Sequence, residues 1–394
     1  MNIIYKNKCI VFLILISFFK PICLQYYSEM FYLEKFFIVL KIISAIAIFV
    51  ESFEQIIKRG LIIQKKNPIF WVFLYDFWIL LITYLLKGDV NRAVIDLVSL
   101  VALTLFSTNL IQKFPSNVTV FLRVFSVLLC FQLISELLFP NGMPADLYLN
   151  NASNPLFFCT LDNGTTGLTC LFVFLIEISD LIDENYIINK WTSVYFPKMI
   201  AILTAFFSGS STAVICTLSL VVLLWLLKQE KMKLASKKSF WISLFVFIVY
   251  SVFSMENSLL YRFIIGLTGK SGFSGRYYLW GQAINMICES PFVGYGRLNR
   301  NYLSVWGGYF SSHNMILELL LQGGMVALFI FVLMMICYLK IIGKNNDMKI
   351  KKILFSTIFV VLTALMMEQS TQSVYLFTIL GISAGISKYK SSRI

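Results

Sequence analysis

The chain reads as an all-α, polytopic integral membrane protein: about twelve transmembrane helices with one large loop on the outer face. Three observations lead there. Hydrophobic residues fill 58% of the 394 positions and charged residues 13%, with 37 phenylalanines, a balance that no water-soluble fold can bury. The apolar residues come in runs of about 17–20, the length that crosses the hydrocarbon of a bilayer. Lys and Arg give a formal charge of +13, yet they sit in short tracts between the runs, which is the pattern of membrane topology and not of a nucleic-acid surface.

In order, the runs cover 9–25, 35–53, 69–86, 93–111, 118–139, 167–182, 193–207, 212–227, 239–255, 324–342, 353–369 and 371–387. The first has the charged start and short apolar stretch of a signal peptide, interrupted by Lys20 and Pro21. No small-residue cleavage pattern follows, so it is read as a helix. The remaining eleven are separated by turn residues or charge, and the whole of 1–394 reads as a single transmembrane domain. Eight cysteines are scattered singly, with no metal-ligand spacing, and most are small hydrophobes inside the runs. Cys159 and Cys288 both fall in expected outer loops, and nothing rests on their pairing.

Counting Lys and Arg on alternate sides gives more than twice as many to the face that receives the N-terminus, 54–68, 112–117, 183–192, 228–238, 340–352 and the C-terminus. That face is expected to be cytoplasmic, with both termini inside. The two longest loops, 140–166 and 256–312, then face outward. The second carries Arg262, Lys270, Arg276, Arg297 and Arg300 on the side that normally avoids positive charge, and next to it stands the only histidine, His313. A cationic outer loop beside a membrane invites an anionic, membrane-tethered ligand.

Within that loop, residues 271–295 read SGFSGRYYLWGQAINMICESPFVGY. Ser274 can cap a helix, Ser290-Pro291 stops it, and Leu279, Ala283, Ile284 and Ile287 recur at helical spacing, so a short surface helix is expected over roughly 275–289. After the turn glycines of GYG at 294–296 comes His313-Asn314, directly before MILELLLQGGMVALF. Arg276 and His313 are both placed near the outer interface, flanking one aqueous mouth. Gly323-Gly324 marks a helix break.

The string GRYYLWGQAINMICESPFVGYG, followed by HNMILELLLQGGM, resembles the C-terminal region of the O-antigen ligase and polymerase superfamily, which includes the Wzy-type polysaccharide polymerases. The likeness covers roughly residues 200–330. A second stretch, FFSGSSTAVICTLSLVVLL from Phe206, is similar to the segment in which that family opens a helix with a Ser-rich turn, here Ser210 and Ser211. Many members carry an Arg after Ser-Gly-Ser, and this chain has Ser211 there.

The resemblance implies a GT-C-like architecture in a bacterial cytoplasmic (inner) membrane. It also implies a donor glycan on undecaprenyl pyrophosphate, transferred to an acceptor sugar hydroxyl, with no metal or other cofactor. The missing Arg inclines the reading to polymerisation of repeat units into O-antigen, capsular or exopolysaccharide, with a chain-length regulator and a flippase as possible partners. The ligase branch, which transfers a finished glycan, is the alternative. A lipid-linked oligosaccharide flippase is a further one, against which stand the lack of internal repeats and the outer loop rich in Arg.

Such chemistry needs a cation on the departing pyrophosphate and a base for the acceptor proton. Arg276 is the first choice for the cation, with Arg262, Arg297 and Arg300 behind it. His313 is the base, against the plainer reading of a structural helix-end histidine. Trp280 reads as an interfacial anchor or a sugar platform, and Asn314 and Glu318 as neighbours facing the mouth. Inside the runs, Asp76, Asp96, Arg123, Glu177, Asp180 and Lys198 need partners. Depth suggests Asp76 with Arg123 and Asp180 with Lys198, or a lipid-phosphate contact for Arg123.

Overall fold

The computed structural model describes residues 3–58, 67–147, 155–161, 164–182, 194–229, 237–253, 262, 266, 276–297, 312–367 and 373–391. Among these the chain is helical, with no β-ladder beyond one bridge between Leu156 and Leu161. The helices are α1 (Ile3–Lys6), α2 (Lys8–Phe18), α3 (Phe31–Lys58), α4 (Pro68–Leu85), α5 (Val90–Lys113), α6 (Val118–Leu138), α7 (Thr165–Ile182), α8 (Phe196–Phe207), α9 (Ser211–Lys228) and α10 (Lys238–Phe253). They continue as α11 (Arg276–Glu289), α12 (Met315–Gly343), α13 (Met348–Leu365) and α14 (Val374–Ser391).

Each of the twelve expected runs falls on one of these helices, and α11 occupies the expected surface helix. Seven helices among the described residues are long and apolar enough to cross a bilayer, and four shorter apolar helices bring the number to eleven; α13 covers the remaining expected run but opens with Lys349, Lys351 and Lys352. The chain is an all-α polytopic membrane protein. Two boundaries differ from expectation. The first run ends as a helix at Phe18, because Lys20-Pro21 cannot continue it, and passes into short 3-10 turns at Ile22–Gln25 and Ser28–Met30. The tenth begins at Met315 rather than 324, since Asn314 caps it by accepting from the Ile316 and Leu317 amides at 3.0 and 3.3 Å. Cys159 and Cys288 are free thiols.

The centre of the bundle is α5 and α7, whose residues 99–110 and 168–179 are all buried. Helix α14 packs most extensively on α5, and glycine makes that approach possible. A Cβ at Gly381 would stand 2.8 Å from Cβ of Ser107, and one at Gly385 2.7 Å from the Thr108 carbonyl. The same contacts place the C-terminal end of α14 beside the C-terminal end of α5. The N-terminus lies there too, since Asn117 donates to the Tyr5 carbonyl at 2.8 Å and Lys113 rests over the Tyr5 ring. Both ends of the described chain are therefore on one face, and the described parts of the two long loops lie on the opposite face.

The buried charge of α7, α8 and α9 is paired, though not as depth suggested. Glu177 of α7 takes Lys198 of α8, and Lys228 of α9 bridges Glu177 and Asp180 at 2.9 Å each. Arg123 is exposed on α6, whereas Asp76 is buried on α4, and α6 packs against α7, α8 and α2. The suggested Asp180–Lys198 pair is thus replaced and the suggested Asp76–Arg123 pair does not form, because depth along a helix does not fix which way a side chain faces.

Candidate functional site

The site is built on a broken helix. At Gly324 (φ 63°, ψ −163°) α12 leaves helical geometry, which strips the Leu321 and Gln322 carbonyls of their helical partners. The loop after α11 supplies them: Tyr295 N–H donates to Leu321 at 2.7 Å and Gly296 N–H to Gln322 at 2.8 Å. In return Met325 N–H donates to the Pro291 carbonyl at 2.8 Å. The approach requires glycine on both sides. A Cβ at Gly294 (φ +72°) would meet Gly324 N at 2.7 Å, and one at Gly324 would collide with the Phe292 carbonyl. Trp78 of α4 donates to Gly323 O at 2.9 Å and closes the joint. Irregular backbone at this depth is tolerated because every freed group is met by protein.

This joint holds α11 alongside the first turns of α12, and Leu279, Trp280, Ala283, Leu317, Leu321 and Met367 form a small apolar cluster between them. The two helices run parallel, so their N-termini reach the same place. Arg276 is the first residue of α11, half-buried, and donates to the Met367 carbonyl just past α13. His313 stands immediately before the cap of α12. Its imidazole is pushed down to about 4 by burial, with the positive charge of Arg276 as the second cause. Arg276 and His313 are thus brought close to each other, and burial favours the uncharged imidazole.

His313 adopts φ 49°, a left-handed conformation that costs a non-glycine residue about 1–2 kcal/mol. Its neighbour Ser312 is clamped from two sides. Trp280 Nε1 donates to the Ser312 carbonyl at 2.9 Å. Glu318 accepts from Ser312 N–H at 3.2 Å, from its hydroxyl at 3.0 Å and from Gln322 Nε2 at 2.7 Å. Trp280 is 3% exposed, which corrects its reading as an interfacial anchor: the indole faces the cluster, not the headgroups. Asn314 is 1% exposed; its Oδ1 caps α12 while its Nδ2 has no partner among the described residues.

The other candidates lie elsewhere. Arg297 pairs with Asp96 of α5, and its backbone is tied to the α4–α5 turn through Thr83 at 2.8 Å and Asp89 at 3.1 Å. Its charge is already answered. Arg262 is exposed, Arg300 lies outside the described residues, and Arg123 is exposed on the lipid side of α6. Ser210 caps α9 by accepting from Ala213 N–H at 3.3 Å, after Gly209 at φ +74°, and Ser211 is the first residue of that helix. Sequence reasoning missed Ser312, Gln322 and the Met367 carbonyl. Only Ser312 was within reach, by adjacency to His313.

Residues 196–332 match the family model described as O-antigen ligase, within a few residues of the 200–330 span drawn from the motifs. The segment includes α8 through the break of α12, and with it every residue of the Arg276–His313 mouth except Met367. The match supports the O-antigen ligase and polymerase superfamily and a membrane enzyme that handles glycans. No curated protein matches the chain.

Proposed function

We propose, from the O-antigen ligase match and the mouth it contains, that this chain polymerises lipid-linked oligosaccharide repeat units at the outer face of the bacterial inner membrane. The loop-rich face is the outer one, by the distribution of Lys and Arg. The observation that carries the reading is the convergence of two helix N-termini on a single place that also holds Arg276, the uncharged His313 and the unpartnered Asn314 amide. That set suits an anion next to a hydroxyl that must lose its proton.

Arg276 spends one donor on Met367; its guanidinium has others to give to a pyrophosphate, together with the Asn314 amide. The acceptor hydroxyl loses its proton to His313 as its oxygen bonds to the anomeric carbon. The bond from that carbon to the pyrophosphate oxygen breaks, and the lipid pyrophosphate leaves with the electron pair. Because the charge of Arg276 depresses the imidazole's basicity, an anion bound at Arg276 offsets it. His313 becomes the stronger base only when the donor is in place.

Polymerase is favoured over ligase by Ser211, which stands where many family members carry Arg. The test is chain-length analysis of surface glycan in a strain lacking the native gene, with protein amounts checked by blotting. Arg276→Lys keeps the charge but loses the planar fork, and should lose most long chains. His313→Ala should slow transfer by ~100-fold or more. Normal long chains from either well-expressed variant would remove that residue from the mechanism.

A further inference from the structure

A cavity of ≈ 330 Å³ lies at the ends of α2, α7, α13 and α14. Its deeper wall is apolar, formed by Phe18, Leu128, Leu168, Val361 and Ala364. Its rim is polar and has the parts of an anion site. Gly164, Thr166 and Gly167 line it, so the N-terminus of the 18-residue helix α7 borders the space. Thr166 is 3% exposed, and its hydroxyl has no partner among the described residues. Lys20 adds a cation, held at 3.0 Å by Glu34.

The rim is rigid. Gln132 accepts the Cys159 and Thr160 amides at 2.8 and 3.2 Å and donates to Glu136 at 2.9 Å and to Thr165 at 3.4 Å. This fixes a non-helical segment inside the bundle. Ala364 and Leu365 of this wall lie two to three residues before Met367, the acceptor of Arg276.

We propose that this cavity binds one polyprenyl phosphate, with its phosphate at Lys20 and Thr166 and its first isoprenoid units against the apolar wall. Phosphate matches the orphan hydroxyl and the helix N-terminus, and the Lys20 ammonium, which gives Glu34 one of its three donors, can add another. The small apolar volume suits a single chain and not the paired chains of a glycerophospholipid. The identity of the chain rests on the lipid-linked reading of the mouth.

The test uses the full chain in detergent, with Arg276→Ala as the background so that the mouth contributes little, and reads retained lipid by native mass spectrometry. The probes are undecaprenyl phosphate and dioleoylphosphatidic acid. Undecaprenyl phosphate should be retained in preference. Ala364→Phe, which fills the wall, should abolish retention; Thr166→Val and Lys20→Gln should each weaken it by roughly tenfold. Thr166→Val is nearly isosteric and decides the matter if Ala364→Phe does not fold. Equal retention by both Ala364→Phe and Thr166→Val, retention of phosphatidic acid as well as of the probe, or no retention would each overturn the proposal. Normal glycan from Arg276 and His313 variants would sink the proposed mechanism without touching this result.

Discussion

Glu318 offers the sharpest test of how the mouth is held. Its carboxylate receives three hydrogen bonds, two of them from Ser312, and makes Ser312 the fixed point from which His313 departs at φ 49°. A hydrogen bond to a charged group is worth about 1.5–3 kcal/mol, and the left-handed residue costs about 1–2 kcal/mol. Losing both Ser312 bonds is therefore enough to let the 312–314 turn relax. Glu318→Ala removes all three and should cut chain growth by at least ~10-fold, since each 1.4 kcal/mol is a factor of ten. Glu318→Gln keeps an oxygen for Ser312, and Gln322 can turn its amide to match, so growth should stay within about threefold of the parent. The assay is synthesis of long glycan by membranes of equal protein content, with melting temperature recorded alongside. If Glu318→Gln fails as badly as Glu318→Ala, the carboxylate charge acts directly and the positioning argument is wrong. If Glu318→Ala is fully active, the clamp is irrelevant.

Two further outcomes follow from the same geometry. With its folded-state pKa lowered to about 4, His313 takes up a proton only well below the ordinary histidine range, so kcat/KM should hold from pH 7 down to about 5; a midpoint near 6.5 in membrane assays would contradict the burial and the Arg276 effect. Gly324→Ala should lower both protein yield and long glycan, with about 1–3 kcal/mol from the backbone conformation alone before the clash with Phe292. Gly209→Ala, also at positive φ but with nothing within 4 Å, should be much milder; equal damage from the two would refute the interlock.

The helices were legible because apolar run length and charge placement are local signals. Helix α11 was legible because Pro291 and the spacing of Leu279, Ala283 and Ile287 bound it. The break at Gly323-Gly324 was visible too, but not its meaning, since nothing local says that residues 291–296 fill it. Partners were the least legible part. Arg297 and Asp96 are distant in sequence, and Asp180 pairs with Lys228 rather than Lys198 because rotation about a helix axis is set by packing. Trp280 and Glu318 were singled out for the right place and the wrong contact: their polar atoms face Ser312, a residue with no motif of its own.

The quartet of Glu177, Asp180, Lys198 and Lys228 has a consequence for how the chain enters the membrane. Helix α7 arrives with two carboxylates and no cation of its own, so alone in lipid it carries uncompensated charge at a cost of several kcal/mol. Both cations come later, on α8 and α9. The insertion machinery therefore has reason to retain α7 until α9 has emerged, and to release the three helices laterally as one neutral unit. A nascent chain halted before Lys228 should remain cross-linkable to the translocon, and one halted beyond it should not.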